Sequence, residues 1–137
     1  MAVRMAHIQL PEDLGIEDAI LPGDPAAVTL PSGQEVTLID VVWNAPGHEG
    51  LAARFRFLAP AIAREGGTVG FEDASADMAW LCENFALSRI AALGPAPGQI
   101  IISLSDRPVP FGEADPEATQ FFEAYRLENG ACIWEVF

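Results

Sequence analysis

One stretch of this chain repeats its apolar residues with the period of a helix, and the segments on either side of it read as strand or turn. From Met78 the apolar positions run through Leu81, Cys82 and Phe85, at i, i+3, i+4 and i+7, and continue to Ile90 and Leu93. That is the stripe an amphipathic helix turns toward a core. Asp73 or Ser75 is suited to cap it, Asp77 in the first turn and Arg89 near the end suit the macrodipole, and Gly94-Pro95 stops it. A chain with one such helix and strands on both sides buries its apolar residues by laying the helix across a sheet.

Upstream, Glu35 to Trp43 has the β-branched content of a strand, Asn44 to Gly50 is turn chemistry, and Leu51 to Leu58 follows with Arg54-Phe55-Arg56-Phe57 in strict alternation. This is a hairpin whose period of two sends Phe55 and Phe57 to the core. Arg54 and Arg56 go to the other face, to meet acids such as Glu35 or Asp40 as ordinary cross-strand pairs. Downstream, Gln99 to Ser105 is a short apolar run bounded by turn residues, which suits a strand buried on both faces at the centre of a sheet. After a loop holding Pro110, Gly112 and Pro116, the segment from Thr119 to Leu127 turns at Asn129-Gly130 into Ala131 to Phe137, a second hairpin. Residues 1–30 are rich in Pro, Gly and acids and read as an irregular N-terminal arm. The expected fold is α+β: a mainly antiparallel sheet of about five strands in the order β-β-α-β-β-β, with one long helix packed on one face. A right-handed crossover through the helix, making one locally parallel pair, is the alternative. At 137 residues the chain is the size of a single domain.

Half the residues are hydrophobic, too many for a disordered chain, yet the formal charge is −13 and all seven basic residues are Arg. That field repels phosphate backbones and anionic head groups, so nucleic acid and membrane surfaces are not expected as partners. It favours a basic protein face or a cationic ligand, or serves only to keep an apolar protein in solution. Charges or prolines interrupt every apolar run before the roughly 18 residues a membrane span needs. Met1 to Gly15 reaches Pro11-Glu12-Asp13 before any secretory core forms, so the chain as written reads as cytoplasmic unless an export signal was trimmed from it.

Cys82 lies on the apolar helix face and Cys132 in the last strand beside Ile133 and Trp134, so both point toward one core. Three readings compete: a disulfide, worth roughly 4 kcal/mol for a loop of about fifty residues in an oxidising compartment; two buried free thiols; or a nucleophile, which needs cations that this chain supplies sparingly. Zinc would have to recruit His7 and His48, distant from each other and from both cysteines, and no calcium loop occurs. No metal and no cofactor is expected. Gly66-Gly67-Thr68-Val69-Gly70 lacks the P-loop Lys and the dinucleotide spacing, and Ser103 and Ser105 have no His nearby.

The densest polar cluster runs from Ser105, Asp106 and Arg107 through Glu113, Asp115 and Glu117 to Gln120, Glu123, Tyr125 and Arg126. As a pocket it offers Arg107 and Arg126, with Gln120, to hold a carboxylate, and Asp106, Glu123 or Tyr125 as acid or base. As plain structure it is an Asp106-Arg107 turn with cross-strand ion pairs on a solvated face. Trp43 and Trp134 line a ligand cleft or pack the sheet.

Several segments carry a resemblance: Arg54-Phe55-Arg56-Phe57, Asp77 to Cys82, Ile101 to Pro108, Phe111-Gly112-Glu113, Gln120 to Arg126, and Cys132-Ile133-Trp134-Glu135. From Leu30 to Phe137 the chain resembles a small uncharacterised family of bacterial proteins, some of which carry the automatic label acetolactate synthase. The resemblance implies an exported domain and a Cys82–Cys132 bridge. The label implies a thiamine diphosphate enzyme, for which this chain is far too short and lacks the Gly-Asp-Gly motif.

The leading expectation is a non-catalytic domain, periplasmic or secreted, that binds a protein or a small ligand through the sheet face or the rim around Asp106 and Arg107. The alternatives are a small cofactor-independent enzyme with an Asp/Glu/Arg pocket, and a homodimer joined through an edge strand such as Ala131 to Phe137.

Overall fold

The computed structural model describes residues 20–47, 50–93 and 97–135. His7, His48, the helix stop at Gly94-Pro95 and the last two residues of the second hairpin lie outside them. Six strands form one sheet in the order β1-β2-β3-β4-β5-β6: β1 (Ile20–Thr29), β2 (Glu35–Gly47), β3 (Gly50–Leu58), β4 (Gln99–Ser105), β5 (Gln120–Glu128) and β6 (Ala131–Glu135). Every neighbouring pair is antiparallel except β3 and β4, which run parallel with Arg54 opposite Ile101 and Arg56 opposite Ser103. Parallel neighbours need a long crossover, and the helical segment between them is that crossover. The sheet is therefore α+β and mostly antiparallel, with the mixed pairing that was the alternative.

Among the described residues the strand count is six rather than five because Ile20–Thr29, expected within the irregular arm, pairs with β2 as an edge strand. Its register slips between Asp24 and Val28, and Asp24 accepts the Ala26 N–H at 2.9 Å. Pro22, Gly23 and Pro25 are tolerated there because an edge strand leaves one row of backbone groups unpaired. A turn with Gly33 at φ +95° closes β1 onto β2, the left-handed conformation that glycine adopts without penalty.

The helical segment is α1 (Phe71–Leu81), a π-helical turn at Cys82–Ala86, and α2 (Leu87–Leu93). Neither Asp73 nor Ser75 caps it: the N-cap is Gly70, without a side-chain cap, and Asp73 sits inside the first turn with Glu72, where acids suit the dipole. The extra residue of the π turn keeps Cys82, Ala86 and Ile90 on one buried line. That line packs on Val36, Leu38 and Val41 of β2, Phe55 and Phe57 of β3, Ile100, Ile102 and Leu104 of β4, and Tyr125 of β5. Phe85 meets the Phe57 ring edge-on at 5.3 Å. β4 is buried at all seven positions, as a central strand should be.

Asp77 is not a first-turn surface acid. It is fully buried, and its carboxylate accepts the Ser32 N–H at 3.0 Å, the Ser32 hydroxyl at 2.6 Å and the Gln34 amide at 2.8 Å. A carboxylate survives burial only when donors replace its water, and here the β1–β2 turn supplies them, which ties that turn to α1.

Candidate functional site

The helix covers one face of the sheet. The other carries Arg54 and Arg56 of β3, Ser103 of β4, and Gln120 and Phe122 of β5, by the same alternation that sends Phe55 and Phe57 inward. Over one end of this face folds the segment joining β4 to β5. Asp106 holds its two ends together: its N–H donates to the Thr119 carbonyl at 3.0 Å, and its carboxylate accepts the Thr119 N–H at 2.8 Å. The Ser105 hydroxyl donates to the Arg107 carbonyl at 2.6 Å. Val109 and Phe111 thereby come to lie against the arginines, and a cavity of about 290 Å³ opens, lined by Arg54, Arg56, Ser103, Phe111, Glu113 and Gln120 among others.

The two arginines differ in what they touch. Arg56 is only 8 % exposed, and all its nitrogens are engaged: Nε and Nη2 donate to the two Asp40 carboxylate oxygens at 2.7 and 2.9 Å, and Nη1 donates to the Val109 carbonyl at 2.8 Å. The guanidinium also lies 5.6 Å from the Phe111 ring centre. This is a bidentate, mostly buried ion pair that pins the loop. Arg54 stacks over Phe122 at 5.4 Å but has no ion-pair partner among the described residues. Burial, and next the positive charge of Arg56, lower its pKa from the ordinary guanidinium value. A guanidinium starts so high that it keeps its charge at neutral pH.

The expected polar pocket does not assemble. Asp106 is spent on the Thr119 clasp and on Arg107, whose Nη2 lies 3.6 Å away and whose side chain is largely in solvent. Glu123 and Tyr125 face the helix side. Glu123 accepts the Ser75 hydroxyl at 3.2 Å and the Trp134 indole N–H at 2.8 Å, and Tyr125 is buried in the core. Burial first, then the Glu123 charge, push the Tyr125 phenol far above its usual range. Arg126 stands opposite Gln99 while Gln120 stands opposite Ser105, at the two ends of the β4–β5 pair. Six steps of about 3.3 Å separate those positions, so Arg126 and Arg107 do not converge on one carboxylate. Arg126 instead pairs with Glu128 at 3.2 Å and Glu135 at 3.8 Å. Of the polar cluster expected to form a pocket, Gln120 and Glu113 line the cavity.

Cys82 and Cys132 are joined in a disulfide that ties the π turn to β6, so neither is a free thiol. Glu83 adds a second tie, accepting the Cys132 N–H at 2.7 Å. Trp43 packs against the core, while Trp134 is exposed. Among the described residues no helix is long and apolar enough to cross a membrane, and no three His, Cys, Asp or Glu side chains cluster as metal ligands.

The model of DUF6497, a family of unknown function, matches residues 14–137. The chain belongs to that family. No curated protein and no solved structure matches it. Membership of DUF6497 assigns no site residue, so the cavity rests on its geometry. Sequence reasoning treated Arg54 and Arg56 as ordinary sheet pairing. The signal that points to them is two cations, two residues apart, on a strand beside a run as apolar as Ile100-Ile101-Ile102. Charges on such a face are seldom left without a partner.

Proposed function

We propose that this chain is a non-catalytic binding domain of an oxidising compartment, the periplasm or the cell exterior, and that it takes a small ligand in the cavity beside Arg54. The observation that carries the reading is Arg54 itself: a partly buried cation at a cavity wall, held by Phe122, with no ion-pair partner among the described residues. Leaving a charge unpaired in such a place costs stability, and a ligand bearing the opposite charge recovers it. The Cys82–Cys132 bridge supports the compartment, because such bonds persist where thiols are not kept reduced. A binding role rather than catalysis is supported by Asp106, Glu123 and Tyr125, each held by structural contacts away from the cavity. Edge-strand pairing draws less support, since β1 carries Pro22 and Pro25 and Glu83 takes a backbone N–H of β6.

The test is a thermal-shift screen of the oxidised chain against a library of polar metabolites, repeated with Arg54→Gln. Ligands that raise the melting temperature of the parent and not of the variant are expected. A library that stabilises neither, or both alike, counts against the cavity. For the compartment, alkylation at lysis of native cells should leave both cysteines unmodified; two blocked thiols would place the protein in a reducing environment.

A further inference from the structure

The cavity contains a second charge of the opposite sign. Glu113 lines it from the β4–β5 segment, and among the described residues it has no ion-pair partner either. Arg54 and Glu113 thus share one cavity without neutralising each other, while the remaining cation, Arg56, is already balanced by Asp40. Building on the binding reading above, we infer that the cavity takes a zwitterion of the α-amino-acid type, its carboxylate on Arg54 and its ammonium toward Glu113.

Three further observations agree. First, a ligand with only a negative charge satisfies Arg54 and is repelled by Glu113, and a cation meets the reverse; one unit of each sign satisfies both walls. Second, the chain carries a net charge of −13, a field that opposes the approach of free anions but not of a ligand with no net charge. Third, a volume of about 290 Å³ lies at the bottom of the range for small-molecule pockets, roughly 300–1,000 Å³, which suits a metabolite of amino-acid size. The Ser103 hydroxyl and the Gln120 amide line the same cavity and offer both donors and acceptors to a carboxylate and an ammonium. Stacking on Phe122 holds the Arg54 guanidinium in place before the ligand arrives, so less side-chain freedom is lost on binding.

The experiment is a titration of the oxidised full chain with each of the standard amino acids, followed by NMR of the Arg Nε and Gln side-chain amide resonances. It is repeated, for the tightest binder, with its N-acetyl derivative and its carboxamide. At least one amino acid is expected to move the Arg54 and Gln120 signals. Blocking either charge should weaken binding about tenfold or more, the loss of one charge-assisted contact. Glu113→Gln should weaken the amino acid by a similar factor without weakening the N-acetyl form, and Arg54→Gln should abolish both. An N-acetyl derivative that binds as tightly as its parent overturns the zwitterion and leaves a plain anion site, with the binding reading intact. No movement with any amino acid overturns it too. If the metabolite screen is also empty, the binding reading falls with it.

Discussion

Replacing Asp77 with alanine tests how the helix and the first turn are held together. The carboxylate is fully buried and accepts three hydrogen bonds, two from Ser32 and one from Gln34. Truncation orphans all three donors. Ser32 is exposed, so water replaces the partner of its N–H and hydroxyl, and each lost bond costs about 0.5–1 kcal/mol. Gln34 is buried at 6 % exposure, so its amide bears the larger penalty of an unsatisfied group, about 1–3 kcal/mol. With a small cavity term, Asp77→Ala should cost about 3–4 kcal/mol, which for a chain of this length lowers the melting temperature by about 10 °C. Asp77→Asn keeps one acceptor and should cost about half as much. Urea denaturation of the oxidised protein, followed by tryptophan fluorescence, measures both, and a cycle with Ser32→Ala isolates the shared bonds. Ser32→Ala should cost much less in the Asp77→Ala background than in the parent. Additive single and double variants, or an Asp77→Ala cost below about 1 kcal/mol, would show that the carboxylate does not anchor the turn.

Three more expectations can be checked in the same way. The double change Cys82→Ala with Cys132→Ala opens a loop spanning a sequence separation of 50 and should lower stability by about 4 kcal/mol; a parent whose urea midpoint is unmoved by reductant would contradict it. Arg56→Ala leaves the Asp40 carboxylate, whose side chain is 15 % exposed, without its partner and should cost about 3 kcal/mol. Arg54→Ala should cost less than about 1 kcal/mol, and a reversed order would mean that the two arginines have been assigned each other's roles. Tyr125 is the one tyrosine of the chain, and its phenol is held neutral far above its usual pKa. Folded protein then binds more protons than unfolded protein once pH exceeds about 10, so the stability contribution is complete below that value and falls as pH rises through it. Phenolate absorbance should appear only together with the loss of folded-state fluorescence; ionisation in the folded state would refute the assignment.

Much of the sheet was legible because its signals are local. Arg54 to Phe57 alternates, Gln99 to Ser105 is a short run built on Ile100, Ile101, Ile102 and Leu104, and Asn129-Gly130 makes a hairpin turn with both residues at positive φ, 53° and 77°. The helix face was legible from its period, whereas the π turn was not, since one inserted residue changes the hydrophobic pattern little. β1 was hidden by Pro22, Gly23 and Pro25, residues that exclude a central strand but not an edge. The polar contacts that matter most join positions far apart in sequence: Asp77 to Ser32, Arg56 to Val109, Asp106 to Thr119. No periodicity reports them. The cavity exists because an aperiodic segment between β4 and β5 folds back on the open face, so its lining could be read only once β3 and β4 were known to be neighbours.

The bond between Cys82 and Cys132 also decides how the chain carries load. Tension drawn along the backbone from either side passes from residue 82 to residue 132 through sulfur and bypasses everything between them: α2, β4, β5 and the segment that closes the cavity. A protein pulled through a narrow pore or against a surface would then pay out β1, β2, β3 and α1 while the closed loop stayed slack. The wall bearing Ser103, Glu113 and Gln120 belongs to that shielded loop, and the wall bearing Arg54 and Arg56 does not. Force would part the site along the parallel β3–β4 seam, unravelling the arginine wall while the other stays within the closed loop.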